Sequence, residues 1–234
     1  IRGTSYLLPN FEKFNENDYV KLPSWEEISK DRKLFAKAYS MQAGEQDPIR
    51  GKIVVQQGKN KLIVQNPPAL PLSTKEMDEI YNLDFQRECH PSYLPFGGVL
   101  ALEEVKFSIV SSRGCFGSCS FCAIHAHQGR IIQSRSHESI LNEAKILTQK
   151  KDFKGYIHDV GGPTANFRHP SCKKQLQFGT CKDRQCLFPK PCPNLDADHS
   201  DYIKLLQKIR ALPNIKKVFI RSGILFDYLL CDKK

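Results

Sequence analysis

The sequence predicts an α/β fold in which a small α+β segment precedes a partial parallel (β/α) barrel. From about Ala101 onward, apolar strand-like runs alternate with amphipathic helical runs, which is the pattern of a parallel sheet. Before Ala101, two β-rich runs flank a turn, and capping boxes open two helical runs. We therefore place the α+β segment over residues 1–100 and the barrel half over residues 101–234.

The first segment is predicted to contain a helix, a hairpin and a second helix. Each helix starts at a serine followed three residues later by glutamate, so that side chain and backbone cap each other. The hairpin is indicated by two runs rich in β-branched residues around a Gly-containing turn. In chain order we expect an irregular start over residues 1–22, a helix from Ser24 to about Met41, strands over residues 52–56 and 61–65, and a helix from Ser73 to about Tyr81.

The second segment is predicted to consist of three strand–helix units. We expect strands over residues 105–110, 155–160 and 217–221, and helices from Ser136 to about Gln149 and from Ser200 to about Leu212. A parallel sheet of three strands keeps an open edge and does not close a barrel. The chain is therefore expected to be part of a longer protein.

Three cysteines follow the first predicted barrel strand at C-x3-C-x2-C spacing: Cys115, Cys119 and Cys122. In α/β folds the carboxyl ends of the strands carry the chemistry. Three thiolates in a loop can hold a [4Fe–4S] cluster while leaving one iron open. A zinc site with His125 or His127 as a fourth ligand and a chance run of cysteines are the alternatives.

A second group of cysteines lies in a Lys- and Pro-containing insertion over residues 168–198. Its spacing is irregular and lacks paired C-x2-C, so the identity of a bound metal is open. A four-cysteine zinc site, an auxiliary iron–sulfur cluster and free thiols are the alternatives. The members of this group are Cys172, Cys181, Cys186 and Cys192.

Composition points to a protein of a reducing compartment. Nine cysteines occur without a secretory leader pattern or a membrane-spanning apolar run, so we expect a cytoplasmic protein without membrane association. The formal net charge is +10, which suits an acidic partner such as a nucleic acid or an acidic electron donor. A solvated basic surface without a specific partner is the alternative.

The cysteine loop resembles that of the radical S-adenosylmethionine (SAM) enzymes. Further runs in the same order resemble the YgiQ-type family of radical SAM proteins. The insertion with its four cysteines and the segment that carries His199 also fit this family. The runs are EQDP at 45–48, QNPPALPL at 65–72, HPSY at 90–93, HQGRIIQSRS at 127–136 and GGPTAN at 161–166.

This resemblance implies a partial radical SAM barrel whose three loop cysteines hold a [4Fe–4S] cluster, with SAM on the open iron. Reductive cleavage of SAM would give a 5′-deoxyadenosyl radical that abstracts hydrogen from a substrate. The turn at Gly161, Gly162 and Pro163 would contact SAM, although Pro163-Thr164 replaces the family's usual glutamate continuation. An ordinary Gly-Gly turn is the alternative. Phe121 would lie on the adenine side through its backbone.

The resemblance also implies a longer protein, with a domain before Ile1 and more barrel after Lys234. It implies an electron donor such as flavodoxin or ferredoxin. It names no substrate, so RNA, protein and a small molecule stay open. Two rival functions are a zinc-stabilised nucleic-acid-binding module and a catalytically inactive iron–sulfur scaffold.

Overall fold

The N-terminal part of the chain forms a four-stranded sheet. The structure is a computed structural model that describes residues 1–10 and 17–233. The strand order is β1-β4-β3-β2, with β2 parallel to β3 and the other pairs antiparallel. Its strands are β1 (Ser5–Leu8), β2 (Tyr19–Lys21), β3 (Ile53–Gln57) and β4 (Leu62–Gln65).

The predicted hairpin is confirmed as β3 and β4, whereas the prediction of an irregular start was wrong. Val55 and Val64 are fully buried and form a small core beneath the hairpin. β1 and β2 add to its two edges, because a two-stranded hairpin leaves backbone donors and acceptors unpaired on both sides. Residues 11–16 of the predicted irregular range lie outside the described residues.

The predicted first helix is present as two helices. The Ser24 hydroxyl accepts a hydrogen bond from the backbone of Glu27, and the Glu27 carboxylate accepts one from the backbone of Ser24, as the capping box predicts. This helix, α1 (Trp25–Ile28), ends after one turn. Asp31 then caps α2 (Arg32–Gly44) by accepting from the backbone N–H of Lys33 at 2.7 Å. A strong internal cap therefore divides the helix that we predicted as continuous.

The second capping box is confirmed at Ser73, which opens α3 (Thr74–Tyr81). A 3₁₀ helix over Pro91–Phe96 and α4 (Ala101–Val105) follow. Because α4 extends to Val105, the strand that we predicted over residues 105–110 begins only at residue 108.

The predicted parallel pairing is confirmed in the second segment. β5 (Ser108–Val110) pairs with β9 (Asp159–Gly161), and β8 (Tyr156–Ile157) pairs with β10 (Lys217–Val218). The predicted strand over residues 155–160 is thus split into β8 and β9, which pair with different neighbours.

Two amphipathic helices cover this small parallel sheet. They are α6 (His137–Thr148) and α8 (Ser200–Arg210), close to the predicted bounds. The core lies between the helices and the strands, and its fully buried side chains are Ile140, Ala144, Ile157, Val160, Ala165, Leu205 and Ile209.

The remaining elements are short and surround the cysteine loops. They are β6 (Ser112–Arg113), α5 (Ile124–Gln128), β7 (Gln133–Ser134), α7 (Gln175–Phe178) and α9 (Phe226–Leu229). None of the helices in residues 1–10 and 17–233 combines the length and apolar character that crossing a membrane requires. The architecture is mixed α/β with several small sheets. The partial barrel and the boundary between residues 100 and 101 stay predictions.

Candidate metal centre

The first cysteine loop is closed at its base by the short antiparallel pair of strands β6 and β7. Next to this pair, the backbone N–H of Cys115 donates to the carbonyl of Gly129 at 2.9 Å. Gly114 has a φ of +88°, and a β-carbon there would overlap the carbonyl of Ile131. Only glycine fits this position, which explains the Arg-Gly-Cys start of the loop.

Two of the three loop thiols turn towards Gly117. A β-carbon at Gly117 would lie 3.4 Å from Sγ of Cys115 and 3.8 Å from Sγ of Cys119. The backbone of Gly117 acts to lower the pKa of the Cys115 thiol. Burial raises the pKa of the Cys115 thiol, and the neighbouring Cys119 and Cys122 add to that rise by repulsion. All three sulfurs therefore share one electrostatic environment, in which a positive metal centre would stabilise the thiolates.

The predicted SAM turn contacts the same loop. The turn begins at Gly161, the last residue of β9, and continues through Gly162 and Pro163. The hydroxyl of the next residue, Thr164, acts to lower the pKa of the Cys115 thiol. The turn lines a cavity of about 430 Å³ at the carboxyl end of the strands. Other residues that line it include Tyr81, Val110, Ser112, Arg113, Gln128 and Asp159.

Both glycines of this turn are required by packing. A β-carbon at Gly161 would overlap the hydroxyl of Ser222, and one at Gly162 would lie 2.6 Å from the carbonyl of Ser112. The ordinary-turn alternative therefore explains why glycines stand here. The cavity has a further feature, because the buried hydroxyl of Ser112 has no hydrogen-bond partner among the described residues. Such an atom costs free energy until a polar group meets it, which fits a ligand at this wall.

Two buried arginines hold the strand end from which the cysteine loop starts. Arg168 donates to the carbonyl of Ser111 at 2.7 Å and to that of Arg135 at 2.9 Å. Arg135 in turn donates to the carbonyl of Val110 at 2.9 Å and pairs with Glu143. The sequence did not indicate a role for either arginine. In a strongly basic chain, nothing in the sequence distinguishes a buried arginine from the many exposed ones.

Phe121 and Arg130 lie on the outer side of the loop. Phe121 is 91% exposed. The guanidinium of Arg130 donates to the carbonyls of Cys181 and Arg184. Arg130 therefore joins the first loop to the Cys-rich insertion.

The insertion is also fastened to the N-terminal segment. The buried carboxylate of Asp47, within the EQDP run, accepts from the backbone N–H of Thr180 at 2.6 Å and from its hydroxyl at 2.8 Å. Gly179 is required beside it, because its φ is +73° and a β-carbon would overlap the Asp47 carboxylate. Cys181 follows directly, so this contact positions one thiol of the second group.

The two cysteine groups face each other across a cleft of about 700 Å³. Cys119, Cys122 and Cys181 all line it. On the inner side, Cys115 and Cys186 pack against one hydrophobic cluster, formed by Phe116, Ile132, Phe167 and Tyr228. The insertion therefore lies beside the first loop.

All nine cysteines are free thiols. Within residues 1–10 and 17–233, no three His, Cys, Asp or Glu side chains are arranged to hold a single metal ion. The chemistry of the donor set distinguishes the alternatives: three thiols in one loop match a [4Fe–4S] cluster with one open iron, whereas a zinc site needs a fourth ligand such as His125 or His127.

Comparison with known proteins supports a radical SAM relationship. Residues 1–108 match the family described as Radical SAM N-terminal. A UPF0313 protein of Clostridium botulinum is 59% identical over 233 residues, which cover all of this chain and 36% of that relative. A UPF0313 protein of Clostridium perfringens is 52% identical over 233 residues, which cover all of this chain and 35% of that relative.

The chain therefore spans about a third of the length of these relatives. The matches do not favour a zinc-stabilised nucleic-acid module or an inactive scaffold, and they confirm the resemblance inferred from the sequence. The chain is similar to radical SAM proteins over its first 108 residues and to UPF0313 proteins over its whole length.

Proposed function

We propose that this chain contributes the cluster-binding part of a radical SAM enzyme, with Cys115, Cys119 and Cys122 as the ligands of a [4Fe–4S] cluster. The observation that carries the proposal is the cavity that Arg113, at the start of the cysteine loop, lines together with Gly161, Gly162 and Pro163. It joins the cysteine loop and the Gly-Gly turn into one site. When bound, such a cluster supplies the electron that cleaves SAM to methionine and a 5′-deoxyadenosyl radical, which abstracts hydrogen from a substrate.

The proposed SAM site is the 430 Å³ cavity beside this loop. Gly161, Gly162 and Pro163 line this cavity together with Ser112. The unpartnered Ser112 hydroxyl, which lies beside Gly162, offers a polar contact to a ligand. By resemblance to the family, the backbone at Phe121 is placed on the adenine side of SAM.

We propose an acidic electron donor such as flavodoxin or ferredoxin, which the net charge of +10 supports. A cytoplasmic, reducing location is supported by nine free thiols. The substrate of the whole protein is RNA, protein or a small molecule. An RNA affinity that falls steeply with salt would select the first of these.

SAM binding to the reconstituted chain tests the proposal. The chain is loaded anaerobically with ferrous iron and sulfide, and SAM affinity is measured by equilibrium dialysis. Cys119→Ala should abolish SAM binding, whereas Cys89→Ala, which lies outside both cysteine groups, should leave it intact. Equal SAM affinity in wild type and Cys119→Ala would contradict the proposal.

A further inference from the structure

The segment that follows strand β10 lies against the cysteine loop. Cδ2 of Leu225 is 3.6 Å from the position that a β-carbon at Gly117 would take. The sulfurs of Cys115 and Cys119 lie 3.4 and 3.8 Å from that same position. Leu225 and Cys115 also pack against the hydrophobic cluster that includes Phe116. An apolar side chain from a distant part of the sequence therefore lies beside two of the three loop thiols.

Asn166, the last residue of the GGPTAN run, holds the backbone of Leu225 at two points. Its Oδ1 accepts from the Leu225 N–H at 3.1 Å, and its Nδ2 donates to the Leu225 carbonyl at 3.3 Å. A flipped amide would place donor against donor and acceptor against acceptor, so these bonds fix its orientation. Asn166 is 3% exposed, which keeps water from replacing the bonds.

His199 supports the same orientation of the Asn166 amide. Its Nδ1 lies 2.8 Å from the carbonyl of Ala197 and 3.0 Å from the carboxylate of Asp232. Both groups accept hydrogen bonds, so Nδ1 carries the ring proton and Nε2 is left as an acceptor. Nε2 lies 3.0 Å from Nδ2 of Asn166, which donates to it. The buried His199 thus gives the Asn166 Nδ2 a second acceptor besides the Leu225 carbonyl.

We propose that Asn166 is a positioning residue of the cluster site, which holds Leu225 beside the cysteine loop and is itself oriented by His199. The effect on a cluster rests on the proposed function, because apolar surroundings limit the access of water to cluster sulfurs and so tune the reduction potential. The contact with the thiols does not rest on it. This role explains the asparagine of the GGPTAN run and the buried histidine, neither of which the proposed function uses.

Thiol alkylation in the metal-free chain tests the position of Leu225. The reaction with iodoacetamide is followed at each cysteine by mass spectrometry, with Cys89 as the internal reference. Asn166→Ala should raise the rate at Cys115 relative to Cys89 by about tenfold, the factor expected for two lost hydrogen bonds. Asn194→Ala, which removes an exposed amide, should leave this ratio unchanged. An unchanged ratio in Asn166→Ala would overturn the proposal.

A double variant shows whether Asn166 acts through Leu225. Leu225→Ala removes the covering side chain and should also raise the Cys115 ratio. Asn166→Ala combined with Leu225→Ala should react no faster than the faster single variant, because both changes remove the same cover. Rates that multiply in the double variant would overturn the proposal. If Asn166→Ala does not fold, Asn166→Leu, which keeps the branched shape and loses the polar atoms, takes its place in the same comparison.

A stability control separates positioning from a general loosening of the fold. Ile140→Ala weakens the separate core beneath α6, so it should lower the urea unfolding midpoint without raising the Cys115 ratio. A rise in the ratio equal to that of Asn166→Ala would show that Asn166 stabilises the fold and nothing more, which would overturn the proposal.

The reconstituted chain tests the effect on the cluster. Reduction adds negative charge, which water stabilises, so Leu225→Ala should make the reduction potential less negative and release iron to a chelator about tenfold faster. A raised Cys115 ratio in the metal-free variants, with no SAM response in the unchanged chain, would refute the proposed function and leave the role of Asn166 in holding Leu225 standing. A SAM response with unchanged Cys115 ratios would refute that role alone.

Discussion

Replacing Asp47 by Asn should release the Cys-rich insertion from the N-terminal segment. The Asp47 carboxylate is 3% exposed and accepts four hydrogen bonds. One oxygen, Oδ1, accepts from the backbone of Ile49 at 2.9 Å and of Arg50 at 2.8 Å. The other, Oδ2, accepts from the backbone and hydroxyl of Thr180. The amide group of Asn has only one acceptor oxygen. Either the two donors at Oδ1 or the two donors at Oδ2 must therefore face an NH₂ group, which cannot accept a hydrogen bond from them.

The size of the effect follows from the two bonds that are lost. A hydrogen bond to a charged group contributes about 1.5–3 kcal/mol. Losing two at the lower end of this range, because Asn can rotate to keep the other pair, lowers the free energy of unfolding by about 3 kcal/mol.

The same contacts make the contribution of Asp47 depend on pH. Burial alone would raise the pKa of the Asp47 carboxyl, but hydrogen bonds from Thr180, Arg50 and Ile49 outweigh it and hold the pKa below its usual range. A lowered folded-state pKa means that the stabilisation is fully present above the unfolded pKa of about 3.9. It is lost as the pH falls through the folded value. The stability difference between wild type and Asp47→Asn should therefore shrink only below about pH 4.

Urea unfolding and limited proteolysis measure this effect. Asp47→Asn should lower the unfolding midpoint and speed cleavage within residues 168–198. Asp183→Asn removes an exposed carboxylate from the same cleft and should do neither. The reasoning is refuted if Asp47→Asn unfolds within about 0.5 kcal/mol of wild type and the insertion is cleaved at the unchanged rate.

Three further predictions concern the first loop. Gly162→Ala should lower thermal stability by about 1–3 kcal/mol, because its β-carbon meets the Ser112 backbone; an unchanged melting temperature would contradict this packing. Arg168→Met should cost about 3 kcal/mol in urea unfolding, because the Arg135 carbonyl loses its Arg168 donor, the Ser111 carbonyl loses one of two donors and Asp201 loses its ion pair. A loss below about 1 kcal/mol would be inconsistent with that role. Phe121→Ala should leave both stability, within about 0.5 kcal/mol, and SAM affinity unchanged; weaker SAM binding would show that the ring itself contacts the ligand.

The elements that the sequence predicted well are those whose formation depends on residues close to one another in the sequence. The capping boxes at Ser24 and Ser73 bond residues three positions apart, and both formed as expected. The helices α6 and α8 have apolar faces with a clear helical period. By contrast, β1 and β2 are short edge strands whose pairing depends on a hairpin more than thirty residues away. No local pattern marks such strands.

The candidate site likewise has parts that the sequence predicted and parts that it could not predict. The spacing of the loop cysteines pointed to their loop without any structural information, and the structure turns Cys115 and Cys119 towards Gly117. The contact between Asp47 and Thr180 joins residues 133 positions apart, and the support from Arg168 depends on carbonyls that only the folded chain brings near. Long-range polar contacts of this kind leave no periodic signal in a single sequence.

The reduced-state EPR spectrum of the anaerobically reconstituted chain, recorded with and without SAM, tests the central claim most directly. We expect a [4Fe–4S] signal that changes on addition of SAM in wild type, and that this SAM-responsive signal is absent from Cys119→Ala. A wild-type spectrum that SAM leaves unchanged, or a SAM response that persists in Cys119→Ala, would contradict the assignment of the loop as a radical SAM centre.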